Sequence, residues 1–399
     1  MMLRLVALLV ALLPVTTRAG ELLVGALQGD VRHLARNRAA GLNVSILELH
    51  WDRYQPKPGV FDAGYIAEAK QQRDAYVAAG MRVMLDLGMQ YPPAWARALP
   101  HGRFVNQFGQ AYDEDAKPGS AGVNAVFNQK LRDVQAAYVG RVFDDLGADF
   151  AIARLGWGYF GELGYPHPTF AGKANGYWAF DDIAQGKLPG LPPTLAACPV
   201  PGWKPGDRGD PTAAATFLKW YLAALRDYHD WQIATVRRHT AAPLAMLYPS
   251  WGIRPGQADA AVAAGLSGTT PAEVNGEIQR GFDFAACVAG VRDANVIVYT
   301  TWIDSDPAFG DDDSPDPARW SPPHFLSELA QRHPLRLGVM GENTGPGTKA
   351  ALALTMSRVR RFNLSGLMWA FEPHLYSGAP DHASIDDLGR AIGQPKAPR

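Results

Sequence analysis

The sequence predicts an α/β protein folded as one (β/α)8 TIM barrel, and three observations carry that expectation. Eight short apolar runs recur along the chain, amphipathic stretches alternate with them, and the segments leaving certain runs are much longer than those entering them. A short, near-continuously apolar run is what a parallel strand buried on both faces requires. Such runs alternating with helices point to a barrel, and no Gly-rich dinucleotide fingerprint follows the first run to favour an open doubly wound sheet.

The elements follow in order. The first strand is expected over Leu22–Gln28, with Asp30 as a cap for the helix behind it. The second covers Val44–Trp51 and leads to a helix over Tyr65–Ala79. The third covers Arg82–Met89 and opens a long loop, Tyr91 to Gly122, carrying Trp95, His101, Phe104 and Tyr112. A helix over Ala125–Leu146 comes next, its Phe127, Leu131, Val134 and Tyr138 spaced by three and four residues. The fourth strand covers Phe150–Tyr159. After it, Leu163 to Gly209 is rich in Pro, Gly and aromatics (Tyr165, Phe170, Tyr177, Trp178, Phe180, Trp203) before Asp210-Pro211 opens a helix over Ala213–His239. Strands five to eight are expected at Leu244–Trp251, Val296–Trp302, Arg336–Met340 and Gly366–Phe371, with a helix over Lys349–Phe362 between the last two. Entering connections are short, as at Gly80 and Gly147-Ala148-Asp149. Long loops after strands three and four place a functional mouth on the exit side.

The chain has 399 residues and a formal net charge of −1, with no local Lys/Arg cluster. Nothing in that balance steers towards nucleic acid or anionic lipid. Met1-Met2-Leu3-Arg4, the apolar run Leu5 to Val15 and Thr17-Arg18-Ala19 read as a signal peptide over residues 1–19, leaving a barrel over 20–399 that is secreted or periplasmic. That run is too short for permanent membrane insertion, and no later stretch is apolar enough to cross a bilayer. Cys198 and Cys287 are the only cysteines; they form either one disulfide or two thiols, and they lack the histidine neighbours of a zinc site. Eleven Trp and fourteen Tyr offer flat faces for sugar rings, although most belong in a core.

Two glutamates carry the chemistry. Glu162 ends Arg154-Leu155-Gly156-Trp157-Gly158-Tyr159-Phe160-Gly161-Glu162, and Glu342 ends Leu337-Gly338-Val339-Met340-Gly341-Glu342. Either alone reads as a helix cap or a loop ion pair. Both at equivalent strand ends match the two-carboxylate requirement of glycoside hydrolysis, in which one acid protonates the leaving oxygen and the other carboxylate attacks or activates water. No cofactor is expected, and the partner is an oligo- or polysaccharide.

With these motifs in view, the chain resembles (β/α)8 glycoside hydrolases of clan A and the related β-amylase family. Trp51-Asp52-Arg53-Tyr54-Gln55-Pro56-Lys57-Pro58-Gly59-Val60-Phe61-Asp62 is similar to a signature of β-galactosidase-type barrels. Gly161-Glu162-Leu163 with Tyr165-Pro166, and Gly341-Glu342-Asn343, are similar to the acid- and base-bearing segments of β-amylases. The resemblance spans about Leu22 to Ser377. It implies Glu162 as acid/base and Glu342 as nucleophile or general base. Clan A usually has Asn before the first glutamate; Gly161 stands there instead, as in the inverting β-amylases, whereas the Trp51–Asp62 signature and Trp369 lean towards retention and β-linked substrates. A catalytically silent, carbohydrate-binding barrel and an inverting hydrolase are the alternatives.

His50, Trp51, Asp52, Tyr165, Tyr248, Trp251, Trp302, Asn343 and Trp369 are the candidate substrate-binding residues, with Gln28 also at the rim; Trp157 and Tyr159 have the parity to pack outward. Asp304-Ser305-Asp306 and Asp311-Asp312-Asp313 are oxygen-rich but lack the spacing of a calcium loop, so no metal is expected. Asn43-Val44-Ser45 and Asn363-Leu364-Ser365 match the glycosylation sequon by chance, the first at a buried strand. Glu48 and Arg154, inward by parity from strands two and four, are candidates for a buried ion pair.

Overall fold

The computed structural model describes residues 21–113, 122–207 and 210–393; the expected signal peptide lies outside the described residues. Eight strands form one parallel sheet: β1 (Leu23–Ala26), β2 (Val44–Glu48), β3 (Arg82–Asp86), β4 (Ile152–Leu155), β5 (Leu244–Tyr248), β6 (Val296–Thr300), β7 (Gly338–Glu342) and β8 (Gly366–Trp369). Their order is β1-β8-β7-β6-β5-β4-β3-β2. Asn43 closes the remaining seam. Its N–H donates to Val24 O at 2.8 Å, its Oδ1 accepts from Val24 N at 2.9 Å, and its Nδ2 donates to Leu22 O at 2.9 Å. One helix after each strand continues the βα alternation: α1 (Leu34–Ala39), α2 (Ala63–Ala78), α3 (Gln129–Leu146), α4 (Pro211–Arg237), α5 (Phe284–Gly290), α6 (Pro322–Arg332), α7 (Lys349–Arg361) and α8 (Ile385–Gly393). Further short helices lie in the connections among the described residues.

Period-two alternation splits the hydrophobic interior into two cores. Val44, Ile46, Met84, Ile152, Ala245, Leu247, Tyr299, Met340 and Met368 fill the barrel. Leu47, Leu85, Leu155, Met246, Val298 and Leu367 pack under the helices. Gly25 makes room inside: a Cβ there would lie 2.7 Å from the Met368 sulfur.

The apolar runs extend past the strands at the mouth. Backbone turns into left-handed conformations at Gln28 (φ 56°), Gly88 (φ 67°), Trp157 (φ 58°) and Ser250 (φ 58°), and these end the pairing earlier than hydrophobicity suggests. β7 runs two residues further than expected, to Glu342 itself.

The acidic stretch after β6 is a structural latch. Asp304 accepts from Thr344 N at 2.6 Å, Asp312 pairs with Arg358 at 3.2 Å and His324 at 3.4 Å, and Asp313 pairs with Arg361 at 2.7 Å. Among the described residues no group of three or more His, Cys, Asp or Glu is arranged to hold a metal ion. Cys198 and Cys287 are separate buried thiols. No described helix is long and apolar enough to cross a membrane.

Candidate active site

A polar belt crowns the apolar barrel interior. Glu48 on β2, Asp86 on β3 and Arg154 on β4 are register neighbours. The Arg154 guanidinium reaches Asp86 at 3.5 Å and Glu342 Oε2 at 3.1 Å. Tyr299 on β6 donates its hydroxyl to the same Glu342 oxygen at 2.5 Å. The expected Glu48–Arg154 pair is corrected: Asp86 stands between those strands and takes the guanidinium, while Glu48 accepts from the Tyr91 hydroxyl at 2.8 Å.

Glu162 arrives on a tight loop after β4. Gly156 has φ 142°, and a Cβ there would meet the Gly161 carbonyl at 2.2 Å, so the turn requires glycine. Trp157 N donates to Gly161 O at 3.1 Å and Gly158 N to Glu162 O at 2.9 Å. Gln232 on α4 fixes the loop from behind, accepting from Gly156 N at 2.8 Å and donating to Gly156 O at 3.1 Å. The Glu162 carboxylate accepts from Thr301 Oγ1 at 2.7 Å.

One strand therefore organises both acids. Tyr299 and Thr301 are two residues apart on β6 and its exit, so they share a face. One holds Glu342 and the other holds Glu162. The two carboxylates feel each other: the Glu342 charge adds to the forces raising the Glu162 pKa. Burial is the dominant cause at Glu162 and lifts it to about 7 against the opposing pull of Arg280 and the Thr301 hydrogen bond. Glu342 is also raised by burial, but Arg154 and the Tyr299 hydroxyl both favour its ionised form. Burial and the Asp86 charge raise Glu48. His50 at the rim stacks on Tyr91 with ring centroids 3.8 Å apart, and burial lowers its pKa.

Several expected substrate contacts are corrected. Trp51, Tyr165, Tyr248 and Trp369 are fully buried in the layer between barrel and helices. Trp51 packs on Trp95 and Tyr138, Tyr165 stacks on Tyr221, and Tyr248 bonds His229 Nε2 at 2.8 Å. Trp369 is outward because its β8 neighbour Met368 is inward. Asn343 spends its amide on Ala370, donating to the carbonyl at 3.0 Å and accepting from the N–H at 2.7 Å. His50 is part-exposed at the mouth, Asp52 is open to solvent beside it, and Trp251 and Trp302 are half-buried. Gln28 is exposed at the top of β1, and Trp157 packs outward against Trp231. Asp86, Tyr91, Tyr299, Thr301 and Arg280 were not singled out by sequence; an acid inside the apolar run Arg82–Met89 was the one legible signal.

No family model matches the chain, and no curated protein sequence matches it. Solved structures do resemble it. The catalytic domain of a β-amylase from Paenibacillus polymyxa superposes with a TM-score of 0.65 at 15% identity, covering 94% of this chain and 98% of that one. A β-galactosidase from the Antarctic haloarchaeon Halorubrum lacusprofundi gives 0.55 at 12% identity, and a GH42 β-galactosidase from G. stearothermophilus gives 0.56 at 11%. This chain covers 93% and 94% of itself in those two matches but only 57% of each β-galactosidase. At these identities the likeness shows the fold: a (β/α)8 barrel of the kind glycoside hydrolases use.

Proposed function

We propose that the protein is an exported glycoside hydrolase, with Glu162 as general acid/base and Glu342 as nucleophile. The observation that carries this reading is the shared support of the two glutamates on one face of β6, through Thr301 and Tyr299. The acid is buried enough to keep its proton near neutrality, as a leaving-group donor must. The other carboxylate has a guanidinium and a phenol beside it, which stabilise its charge.

Retention is favoured by how Glu342 is held. Tyr299 and Arg154 both converge on Oε2, and among the described residues no donor reaches Oε1. One oxygen is anchored and the other is free to attack the anomeric carbon. The first half-reaction then forms a glycosyl ester on Glu342 as Glu162 protonates the departing oxygen. In the second, Glu162 takes a proton from water and the water displaces Glu342. Gly161 before the acid favours the inverting course, in which Glu342 would activate water directly.

Replacing each glutamate by Gln and following hydrolysis of a panel of chromogenic β-glycosides and polysaccharide fragments tests the assignment. Each variant is expected to lose on the order of 10³-fold or more in kcat while still binding saccharide. Normal turnover by both would sink it, and saccharide binding without turnover by the wild type would establish the silent barrel. The anomer first released, read by proton NMR, separates retention from inversion. Export over residues 1–19 is tested by sequencing the N-terminus of the mature protein, expected at Gly20.

A further inference from the structure

Arg280 is the unexplained cation of this mouth. It lies in the loop between β5 and α5, and its carbonyl accepts from Tyr165 N at 3.1 Å, three residues after Glu162. Its guanidinium lies 4.5 Å from the Phe282 ring centroid and 5.7 Å from that of Tyr159, whose carbonyl accepts from Glu162 N at 3.1 Å. No hydrogen bond or ion pair from a described residue holds it, and its Nε and Nη2 are buried without partners. The two nearest acids along the chain are committed elsewhere, Glu277 to Ser250 Oγ at 2.6 Å and Gly252 N at 2.7 Å and Asp283 to Ala286 N at 3.2 Å. Arg280 is half-buried, and two guanidinium N–H groups shielded from water without a partner are costly unless a ligand fills them. Its contacts with Tyr165 N and the Tyr159 ring, both on the loop that carries Glu162, set Arg280 on the Glu162 side of the site, where the leaving group departs. Its charge acts on Glu162, whereas Arg154 acts on both acids.

We infer that Arg280 is a specificity residue that recognises an anionic substituent, a uronate carboxylate or a sulfate ester, on the sugar departing from Glu162. Aromatic faces flank the guanidinium, and its planar fork suits a two-oxygen anion. The inference rests on the glycosidase reading of the site and deepens it to a substrate class.

The test uses matched β-linked gluco- and galacto-disaccharides whose reducing-end ring carries at C6 a hydroxymethyl, a carboxylate or a sulfate ester. Wild type is expected to favour one charged form over the neutral one by roughly tenfold or more in kcat/KM. The preferred arm identifies the anion. Arg280→Met should bring the ratio close to one, and Arg280→Lys should keep part of it, with thermal melts confirming that both fold. Titration of the same compounds into Glu342→Gln, alone and combined with Arg280→Met, reads the preference without turnover. A charge preference in binding that Arg280→Met abolishes sustains the inference even if hydrolysis fails. Equal use and equal binding of charged and neutral forms overturns it, as does a preference that survives Arg280→Met. A variant that shifts only the pH profile also overturns it, because Arg280 would then merely tune Glu162.

Discussion

Glu162 and Glu342 are both largely enclosed glutamates, yet their neighbours differ, and the difference sets the pH behaviour. In the proposed mechanism activity requires protonated Glu162, so kcat/KM should fall as pH rises through about 7, the value to which burial lifts this acid. Thr301 donates to the carboxylate and so favours the ionised form; Thr301→Val should move the alkaline limb to higher pH. A limb that stays in place, or moves down, would show that the titrating group is another residue. The same shift has a stability consequence. A carboxyl whose folded pKa exceeds its unfolded value binds its proton more tightly when folded, so the contribution of Glu162 to stability is fully present below the unfolded value of 4.5 and is lost as pH rises through about 7. Glu162→Gln removes that loss and should stabilise the protein at pH 9 relative to pH 5, by about 3 kcal/mol at most, in urea titrations of variant and wild type. A variant no more stable than wild type at pH 9 would contradict the buried environment. The two glutamates were legible because each carboxylate ends an apolar run behind glycine. Tyr299 was not, since an inward tyrosine in Val296–Trp302 looks like core until its hydroxyl is seen to reach Glu342.

At the level of elements, the apolar runs located all eight strands but overran most of their exits. Residues beyond the last pair still line packed surfaces, so they stay hydrophobic after the backbone has turned left-handed, as at Trp157 and Ser250. Parity counted along such a run fails where the ladder has ended. Tyr248 and Trp369 were misplaced for a simpler reason: both are still within their strands, one position out of phase with the inward residues Leu247 and Met368. Asn343 shows the structural alternative to a binding role. Its amide makes a two-bond bracket from the end of β7 to the residue after β8, in a setting closed to solvent. Asn343→Ala leaves a buried N–H and a buried carbonyl of Ala370 without this partner and should cost about 1–3 kcal/mol. Denaturant melts should show that loss, with KM for substrate much less affected than stability. A large KM change at unaltered stability would return Asn343 to the substrate contacts.

Across the whole molecule, the decisive step is closure of the sheet, and one residue accounts for much of the seam. β2 to β8 and then β1 are joined by seven ladders, but between β1 and β2 it is Asn43 that supplies backbone and side-chain bonds to Val24 and Leu22. The sequence displayed this residue only as the first member of a sequon, because a strand-entry asparagine has no pattern that distinguishes a seam from a glycan acceptor. Its amide is buried and hydrogen-bonded on both sides, so a glycan there is incompatible with the closed barrel. Asn43→Ala would leave Val24 N, buried at the seam, with no side-chain acceptor, at an expected cost of about 1–3 kcal/mol. Asn43→Asp keeps the acceptor for Val24 N but sets a carboxylate against the Leu22 carbonyl, so it should be at least as damaging. The signature separating a seam residue from an ordinary buried polar one is where the loss appears. Hydrogen exchange of the Asn43→Ala protein should accelerate at Val24 and at its β1 and β2 neighbours while β5 and β6 keep their protection. Uniform acceleration across all eight strands would mean that the barrel does not open at this seam, and unchanged exchange at Val24 would mean that the bond does not hold it shut.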